Sequence, residues 1–311
     1  MFDLKKNFQI IPSKIRIIPN DRVAKKLFNL TTEDLQGWIK NNTSVDFVEM
    51  QHHKKFNEII SPIKLSVEGE NFTISEPLGQ FDSAVLSVCI SEWSARNKVT
   101  TPSIIYRNLS GKVGRGDAEP SKDQLAAIFK SIDKLMRLQI HYDISELCQK
   151  LKYNNGIPEK LVSVLVPCHY LKSSTVNGKD TTVISLDAES PLLKIAHLKN
   201  NQIITYDTSL LDIPHQQNTK LNIAVKNYVM VRVQEIKLHR MTPTITFADV
   251  FEKCKVADAD NKKKLRTREF IISFMEHLKN QGEINSFEVT KKGNKFYSVK
   301  FTYSRTKRTH T

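Results

Sequence analysis

The residues best suited to chemistry are basic and lie in one short stretch near the C-terminus. Residues 262–280 have the apolar spacing of a helix, with Ile271, Met275 and Leu278 on one face. Basic side chains crowd its first two turns: Lys262, Lys263, Lys264, Arg266 and Arg268. The positive end of the helix macrodipole lies there and opposes each such charge by ~0.3–1 kcal/mol. A polyanionic partner explains this placement better than a solvated surface does.

The opposite face of this predicted helix carries side chains that can read a nucleic acid. Lys262, Arg266, Glu269 and Ser273 follow one another there at helical spacing. The planar guanidinium of Arg266 can donate two hydrogen bonds to a guanine in a major groove. More lysines lie at the tip of the predicted hairpin that follows, where they can contact a DNA backbone or a minor groove: Lys291, Lys292 and Lys295.

A second predicted helix, which begins after Ser121, has a related pattern. Ser121 and Gln124 have the spacing of a capping box. The face opposite its apolar residues carries further candidate DNA contacts: Lys122, Asp123, Lys130, Lys134 and Arg137. The basic side chains can reach phosphates, and Asp123 can accept a hydrogen bond from the amino group of a cytosine. An ordinary solvated helix face explains this set equally well.

Both helices occupy the same place in a repeated order of elements. In the first half, three residues have the position of a helix cap: Asp82, Thr101 and Ser121. Strands are predicted after these helices, at 140–144, 161–171 and 181–187. The last two strands are joined through the turn dipeptide 177–178. In the second half, Asn218 or Thr219 caps a long helix, and helices at 247–254 and 262–280 precede strands at 284–289 and 296–303. Three helices followed by a hairpin form a winged helix-turn-helix, whose third helix reads a DNA groove. We therefore predict an α+β fold with two winged helix-turn-helix domains in tandem and an N-terminal extension.

The predicted domains divide the charge unevenly. An N-terminal arm of mixed structure at 1–71, which includes a strand at 13–18 and a helix at 32–40, precedes a first winged-helix domain with its bridge at 72–213. The second domain, with a basic tail, covers 214–311 and holds 20 Lys and Arg against 9 Asp and Glu, in a chain whose net charge is +14. A basic C-terminal third points to nucleic acid as the partner.

Composition also indicates where the protein works. No apolar run approaches the ~20 residues of a membrane span, and the first nine residues are too charged for a secretory signal. The cysteines lie far apart without a C-x-x-C pair, so we expect buried, reduced thiols rather than a metal or redox site: Cys89, Cys148, Cys168 and Cys254. These features predict a cytoplasmic protein with no membrane partner, no metal and no cofactor.

Catalytic motifs are absent from the sequence. The glycines at 111–116 follow a short helix and lack the spacing of a P-loop. Asp258 and Asp260 have no third acidic ligand nearby and suit a turn. A rolling-circle nickase needs two histidines that flank one hydrophobic residue, whereas His52 and His53 are adjacent. Without such a site, Tyr106, Tyr153 and Tyr228 have no metal cluster to serve, and we predict that the protein is not an enzyme.

Several segments resemble the tandem winged-helix domains of plasmid replication initiators, the Rep family. Those that resemble the first domain are 76–78, 81–82, 84–87, 100–101 and the Ser121 helix through 134–135; those that resemble the bridge and second domain are 190–193, 211–214 and 227–233. The resemblance covers about residues 72–303. It implies an initiator that binds repeated sites (iterons) in double-stranded DNA at the origin of a plasmid or mobile element.

The same resemblance implies a division of labour between the domains. In the Rep family both third helices enter major grooves, the second domain typically makes the stronger base contacts, and the first often supports a homodimer. Dimers commonly repress their own gene, while monomers open the origin and recruit host replication proteins. Three alternatives stay open: a winged-helix transcription regulator, a winged-helix module that binds only protein and, further off, a rolling-circle nicking enzyme.

Overall fold

The computed structural model describes residues 12–28, 45–47, 63–67, 78–113, 115, 118–143, 160–174, 180–198, 202–293 and 295–304. Over these ranges the fold is α+β, with helices packed around four small antiparallel sheets. Several predictions lie outside them: the helix at 32–40, the adjacent histidines, Cys148, Tyr153, the turn at 177–178 and the basic tail. Among the described helices, none combines the length and apolar character needed to cross a bilayer.

The N-terminal segment contributes a strand to the fold. Strand β1 (Ile15–Pro19), close to the strand predicted at 13–18, pairs antiparallel with a later strand at Ile203–Asp207, and helix α1 (Arg22–Leu27) follows it. Arg16 on β1 is fully buried and donates to Ser87 Oγ at 3.0 Å and to Asn108 Oδ1 at 2.7 Å. Burial lowers the pKa of this guanidinium, so its hydrogen bonds offset a considerable desolvation cost.

The first half of the chain contains the three helices and the hairpin in the predicted order, and a short strand between the first two helices that was not predicted. The elements are α2 (Gln80–Ser94), α3 (Pro102–Ser110) and α4 (Lys122–Arg137), with β4 (Val99–Thr100) between α2 and α3, and the hairpin strands β7 (Cys168–Ser174) and β8 (Asp180–Leu186). As predicted, Thr101 caps α3, Gly111 ends it in the left-handed conformation, and Ser121 and Gln124 form a capping box at α4. Strand β4 pairs with β8, which gives a sheet of order β4-β8-β7.

Two predictions for this half are wrong in detail. The residue that caps α2 is Gly79, and Asp82 instead occupies the third helical position, where its Oδ2 accepts from the Gly79 amide at 3.0 Å. The single strand at 161–171 is two strands, because β6 (Lys160–Val164) pairs with β5 (Leu138–Asp143) while β7 pairs with β8. Leu165 and Val166 between them are buried, so the apolar pattern continues although the chain changes sheet. Strands β2 (Val45–Phe47) and β3 (Ile63–Val67) complete the β5–β6 sheet.

Apart from β5 and β6, the order of elements in the first half recurs in the second. After α5 (Pro191–Leu198), β9 (Ile203–Asp207) and a 3-10 helix (Thr208–Leu211) come α6 (Lys220–His239), β10 (Thr244–Thr246), α7 (Phe247–Lys253), α8 (Asn261–Asn280) and the hairpin β11 (Ser286–Lys292) and β12 (Lys295–Thr302). Thr219, rather than Asn218, caps α6. The short strand again pairs with the second hairpin strand, in the order β10-β12-β11. Each half thus places two helices and a hairpin after a long first helix.

The halves share one core. Buried apolar residues of both belong to one continuous cluster, in which α2 packs against α6. Leu211 and Ile213, in the bridge at the end of the predicted first domain, are themselves buried. Cys89, Cys168 and Cys254 are buried free thiols, as predicted, and burial raises the pKa of Cys168 and of Cys254 to about 12.

Candidate nucleic-acid interface

Helix α8 begins with a cap that suits its charge. Asp260 precedes the helix, and its Oδ1 accepts from the Lys263 amide at 2.6 Å. The first turn holds no acidic side chain, so the Asp260 carboxylate supplies the negative charge at the positive end of the macrodipole. One turn on, Thr267 is buried and donates to the Lys263 carbonyl at 2.8 Å. The basic turns are therefore held as a regular helix.

The structure separates the predicted contact residues of α8 into two groups. Those exposed to solvent are Lys262, Lys263, Arg266 and Glu269, while Lys264, Arg268 and Ser273 are half-buried. Leu265 is 46% exposed beside Arg266. It was not among the predicted contact residues, because an isolated leucine in a basic stretch has no periodic signal. The opposite face, with Phe270 and Phe274, is buried, so α8 presents a mainly basic face to solvent.

Arg268 packs between two aromatic rings. Its guanidinium lies 5.6 Å from the ring centroid of Phe247 and 4.9 Å from that of Phe296, and its buried Nε has no hydrogen-bond partner among the described residues. Phe247 begins α7 and Phe296 lies on β12. Arg268 therefore links the hairpin to two helices through cation–π contacts, a role that its position in the basic cluster did not predict.

The hairpin that follows α8 combines lysines with exposed aromatic rings. Lys291 Nζ lies 4.9 Å from the centroid of Phe296, and Lys292 Nζ lies 5.9 Å from that of Tyr297. Both lysines are exposed, as are the two rings, at 41% for Phe296 and 48% for Tyr297. Lys295, the first residue of β12, pairs with Lys292 in the strand register. The hairpin thus extends the basic surface beyond α8.

Helix α4 exposes most, but not all, of its predicted contact residues. Lys122, Asp123, Lys130 and Arg137 are exposed. The prediction that Lys134 projects from this face is wrong: its side chain is buried, and its Nζ lies 3.5 Å from Asp82 Oδ2 on α2. The same carboxylate accepts from Ser131, one turn earlier, at 2.7 Å. A lysine at the border of the apolar face is drawn inward by this buried acid.

The starting turns of α4 and α8 line two clefts that share a wall. This wall is the segment 216–222, here termed the connector, which leads into α6 and includes its first turn. The first cleft, of about 560 Å³, lies between the connector and residues of α4 and its surroundings: Lys112, Ser121, Asp123, Gln124 and Ala127. The second, of about 640 Å³, lies between the connector and α8 residues Lys262, Lys263, Arg266 and Glu269. Gln216, Gln217 and Thr219 line both clefts.

A buried lysine fastens the connector to the molecule. Lys226 on α6 is 1% exposed and donates to Asn218 Oδ1 and to the Leu211 carbonyl, each at 2.7 Å, with the Ser110 carbonyl at 3.5 Å. Gln124 on α4 donates to the Asn218 carbonyl at 2.8 Å. Burial lowers the pKa of Lys226 to about 7. This site was not predicted, because in the sequence it is visible only as a lysine within an apolar helix.

Comparison with solved structures gives weak matches, two of which are to the same protein. Both are crystal structures of domains 2 and 3 of RctB, one of them determined from selenomethionine derivatives, and each is 12% identical to this chain. Each covers 78% of this chain, at TM-scores of 0.36 and 0.37, and 86% and 87% of the RctB chains are covered. No family model matches the chain, and no curated protein sequence matches it. The function is therefore inferred from the chain's own surface.

Proposed function

We propose that the protein is a sequence-specific double-stranded DNA-binding replication initiator that acts on repeated origin sites (iterons) of a plasmid or mobile element. The observation that carries this proposal is the exposed basic face at the start of α8, whose first turn lacks acidic residues and which is followed by a lysine-rich hairpin. Exposed cations grouped on a helix and on the hairpin beside it suit phosphates on both sides of a groove.

We further propose that the two halves are winged-helix domains in tandem. The support is the repeated order of a long helix, a short strand, two helices and a hairpin, with the short strand paired to the second hairpin strand in each half. In such domains the third helix enters a major groove and the hairpin reaches the neighbouring backbone. Helices α4 and α8 hold that place here.

The proposed mechanism is binding and deformation of DNA, without bond chemistry and without a cofactor. With α4 and α8 in successive major grooves, about 34 Å apart along the duplex, lysines of α8 and of the hairpin contact phosphates and supply affinity. Arg266 donates to a guanine, and Glu269, one turn away, can accept from the amino group of a cytosine. Bending or unwinding of the origin then follows from several such sites being occupied side by side.

A fragment-enrichment experiment tests this function. The purified protein is incubated with sheared DNA of its source replicon at moderate salt, and bound fragments are recovered and sequenced. We expect one locus with tandem direct repeats. A lone palindrome beside a promoter would make the protein a transcription regulator, and no enrichment over random DNA would contradict sequence-specific binding altogether. The matched control is the double variant Lys262→Ala with Arg266→Ala, which we expect to lose the enrichment while keeping its fold, because both side chains are exposed.

A further inference from the structure

We propose that the connector, residues 216–222, contacts the phosphate backbone between the two grooves that α4 and α8 enter, and that Lys226 and Asn218 are positioning residues that fix the spacing of the two half-sites. The inference rests on the proposed function and extends it to a third contact surface. Its chemical partner is the sugar–phosphate backbone of duplex DNA, recognised without regard to base sequence.

The position of the connector follows from the two clefts. Because Gln216, Gln217 and Thr219 line both of them, a duplex that lies along α4 and α8 must pass over the connector. Two major grooves that face the protein one turn apart are separated by a minor groove with its bordering phosphates. The connector therefore faces those phosphates.

The exposed chemistry of the connector fits that role. Gln216, Gln217, Thr219 and Lys220 are exposed, and the segment contains no carboxylate. Amide, hydroxyl and ammonium groups are the common donors to phosphate oxygens. Lys220 Nζ also lies 5.7 Å from the ring centroid of Phe81 on α2, which keeps this cation close to the first half of the molecule.

The underside of the connector is held rigidly. Asn218 is buried, and each of its two oxygens accepts a hydrogen bond. Its Oδ1 accepts from Lys226, and its carbonyl oxygen accepts from Gln124. Asn222 adds a bond from its Nδ2 to the Gln217 carbonyl at 2.8 Å. Gln124 belongs to the capping box of α4 and Lys226 to α6, so these bonds fix the start of α4 relative to the second half. Because this link is rigid, α4 and α8 can enter two grooves only at one fixed separation along the duplex.

The first part of the test measures how affinity depends on the spacing of the half-sites. It uses the whole chain and the half-sites found by enrichment. Duplexes carry the native spacing or spacings changed by one, two or five base pairs, and their dissociation constants are measured. For the wild type we expect a loss of about tenfold or more when the spacing changes. We expect Asn218→Ala to bind the duplex of native spacing about as tightly as the wild type does. On the duplexes with changed spacing, its affinity should fall by less than about threefold. Asn218→Asp should keep the wild-type profile, since its carboxylate still accepts from Lys226.

A second variant distinguishes a loss of positioning from a folding defect. Gln124→Glu keeps an oxygen to accept from the Ser121 amide in the capping box but cannot donate to the Asn218 carbonyl. We expect it to relax the spacing preference while its thermal unfolding stays close to that of the wild type. A wild-type protein indifferent to spacing, or Asn218→Ala and Gln124→Glu variants with the wild-type profile, would overturn the positioning role.

The contact arm replaces Gln217 and Lys220 together by alanine. We expect affinity to fall about three- to tenfold on specific and random DNA alike, with a salt slope reduced by about one. Lys194→Ala, an exposed lysine on α5, is the charge-matched control and should bind as the wild type does. No change in the double variant would overturn the backbone contact. If the wild type binds no DNA, the proposed function itself fails, whereas each of these other results leaves it standing.

Discussion

Two arginines two positions apart illustrate what decides function at the scale of a residue. Successive helical residues are rotated by about 100°, so Arg266 and Arg268 point to different sides of α8. Arg266 is exposed over the second cleft, while Arg268 packs between Phe247 and Phe296. Under the proposed function only Arg266 can reach a base, so replacing the two arginines should have different effects.

Replacing Arg266 by alanine should weaken specific binding by ~1–3 kcal/mol and relax the preference at one base position. The reason is the loss of a bidentate contact to guanine, and the measurement is a comparison of dissociation constants on the native site and on all substitutions of each base pair. Lys263→Ala is the control, because a phosphate contact should cost the same on every sequence. An equal loss on specific and random DNA for Arg266→Ala would make it a phosphate contact as well.

Lys226 predicts a pH dependence of stability. Burial lowers its pKa from 10.5 to about 7 in the folded protein, so between these values the unfolded chain binds one more proton. The free energy of unfolding then rises with pH, by up to ~1.4 kcal/mol per unit. Urea unfolding of the wild type and of Lys226→Met between pH 7 and 9.5 measures this, and the extra slope should be absent in the variant. Below about pH 7 the slopes should agree; parallel curves throughout would contradict the shift.

How far single residues could be predicted depended on what their neighbours in sequence reveal. The exposed cations of α8 follow from helical spacing alone. Lys134 does not, because its partner Asp82 lies on another helix and only the packed fold brings the two within 3.5 Å. Lys226 was missed for the same reason, since its acceptors Asn218, Leu211 and Ser110 come from three other places in the chain.

At the scale of elements, the end of α3 shows why one glycine is required. Gly111 has φ of 83°, and a Cβ there would lie 2.3 Å from the Asp212 amide nitrogen. Gly111→Ala therefore combines left-handed backbone strain of ~1 kcal/mol with a backbone clash. Gly282→Ala is the matched control, because Gly282 also has positive φ, at 73°, but nothing within 4 Å of its Cβ position. Chemical denaturation should show a clearly larger loss for Gly111→Ala, and equal losses would mean that residues 211–212 move aside.

The start of a helix could be predicted where the sequence contains a recognisable capping residue. Thr101 and Ser121 accept from backbone amides within their own helices, so α3 and α4 begin at the predicted residues. Asp260 was assigned to a turn, whereas in the structure it caps α8, which begins one residue before its predicted start. The strand at 161–171 failed because the information that splits it is not local. Its two parts pair with β5 and β8, and both parts are apolar.

At the scale of the whole molecule, the two halves pack against each other and are not separate domains on a flexible linker. One apolar cluster joins them, α2 packs against α6, and Arg115 pairs with Asp212 of the bridge at 3.0 Å. The sequence predicted two similar units with a domain boundary after residue 213, whereas Leu211 and Ile213 beside that boundary belong to the buried core. Under the proposed function, this union means that the surfaces of α4 and α8 contact DNA as one footprint.

A single footprint predicts a steep dependence of DNA affinity on salt. If α4, α8, the hairpin and the connector bind together, the protein neutralises on the order of six to ten phosphates, and affinity falls by about 10³–10⁵ between 50 and 200 mM salt. Fluorescence anisotropy of a labelled native site across this range measures the slope. Combined replacement of Lys291 and Lys292 by alanine should lower the slope by about two. A wild-type slope that corresponds to about three phosphates would instead mean that one half alone engages the duplex.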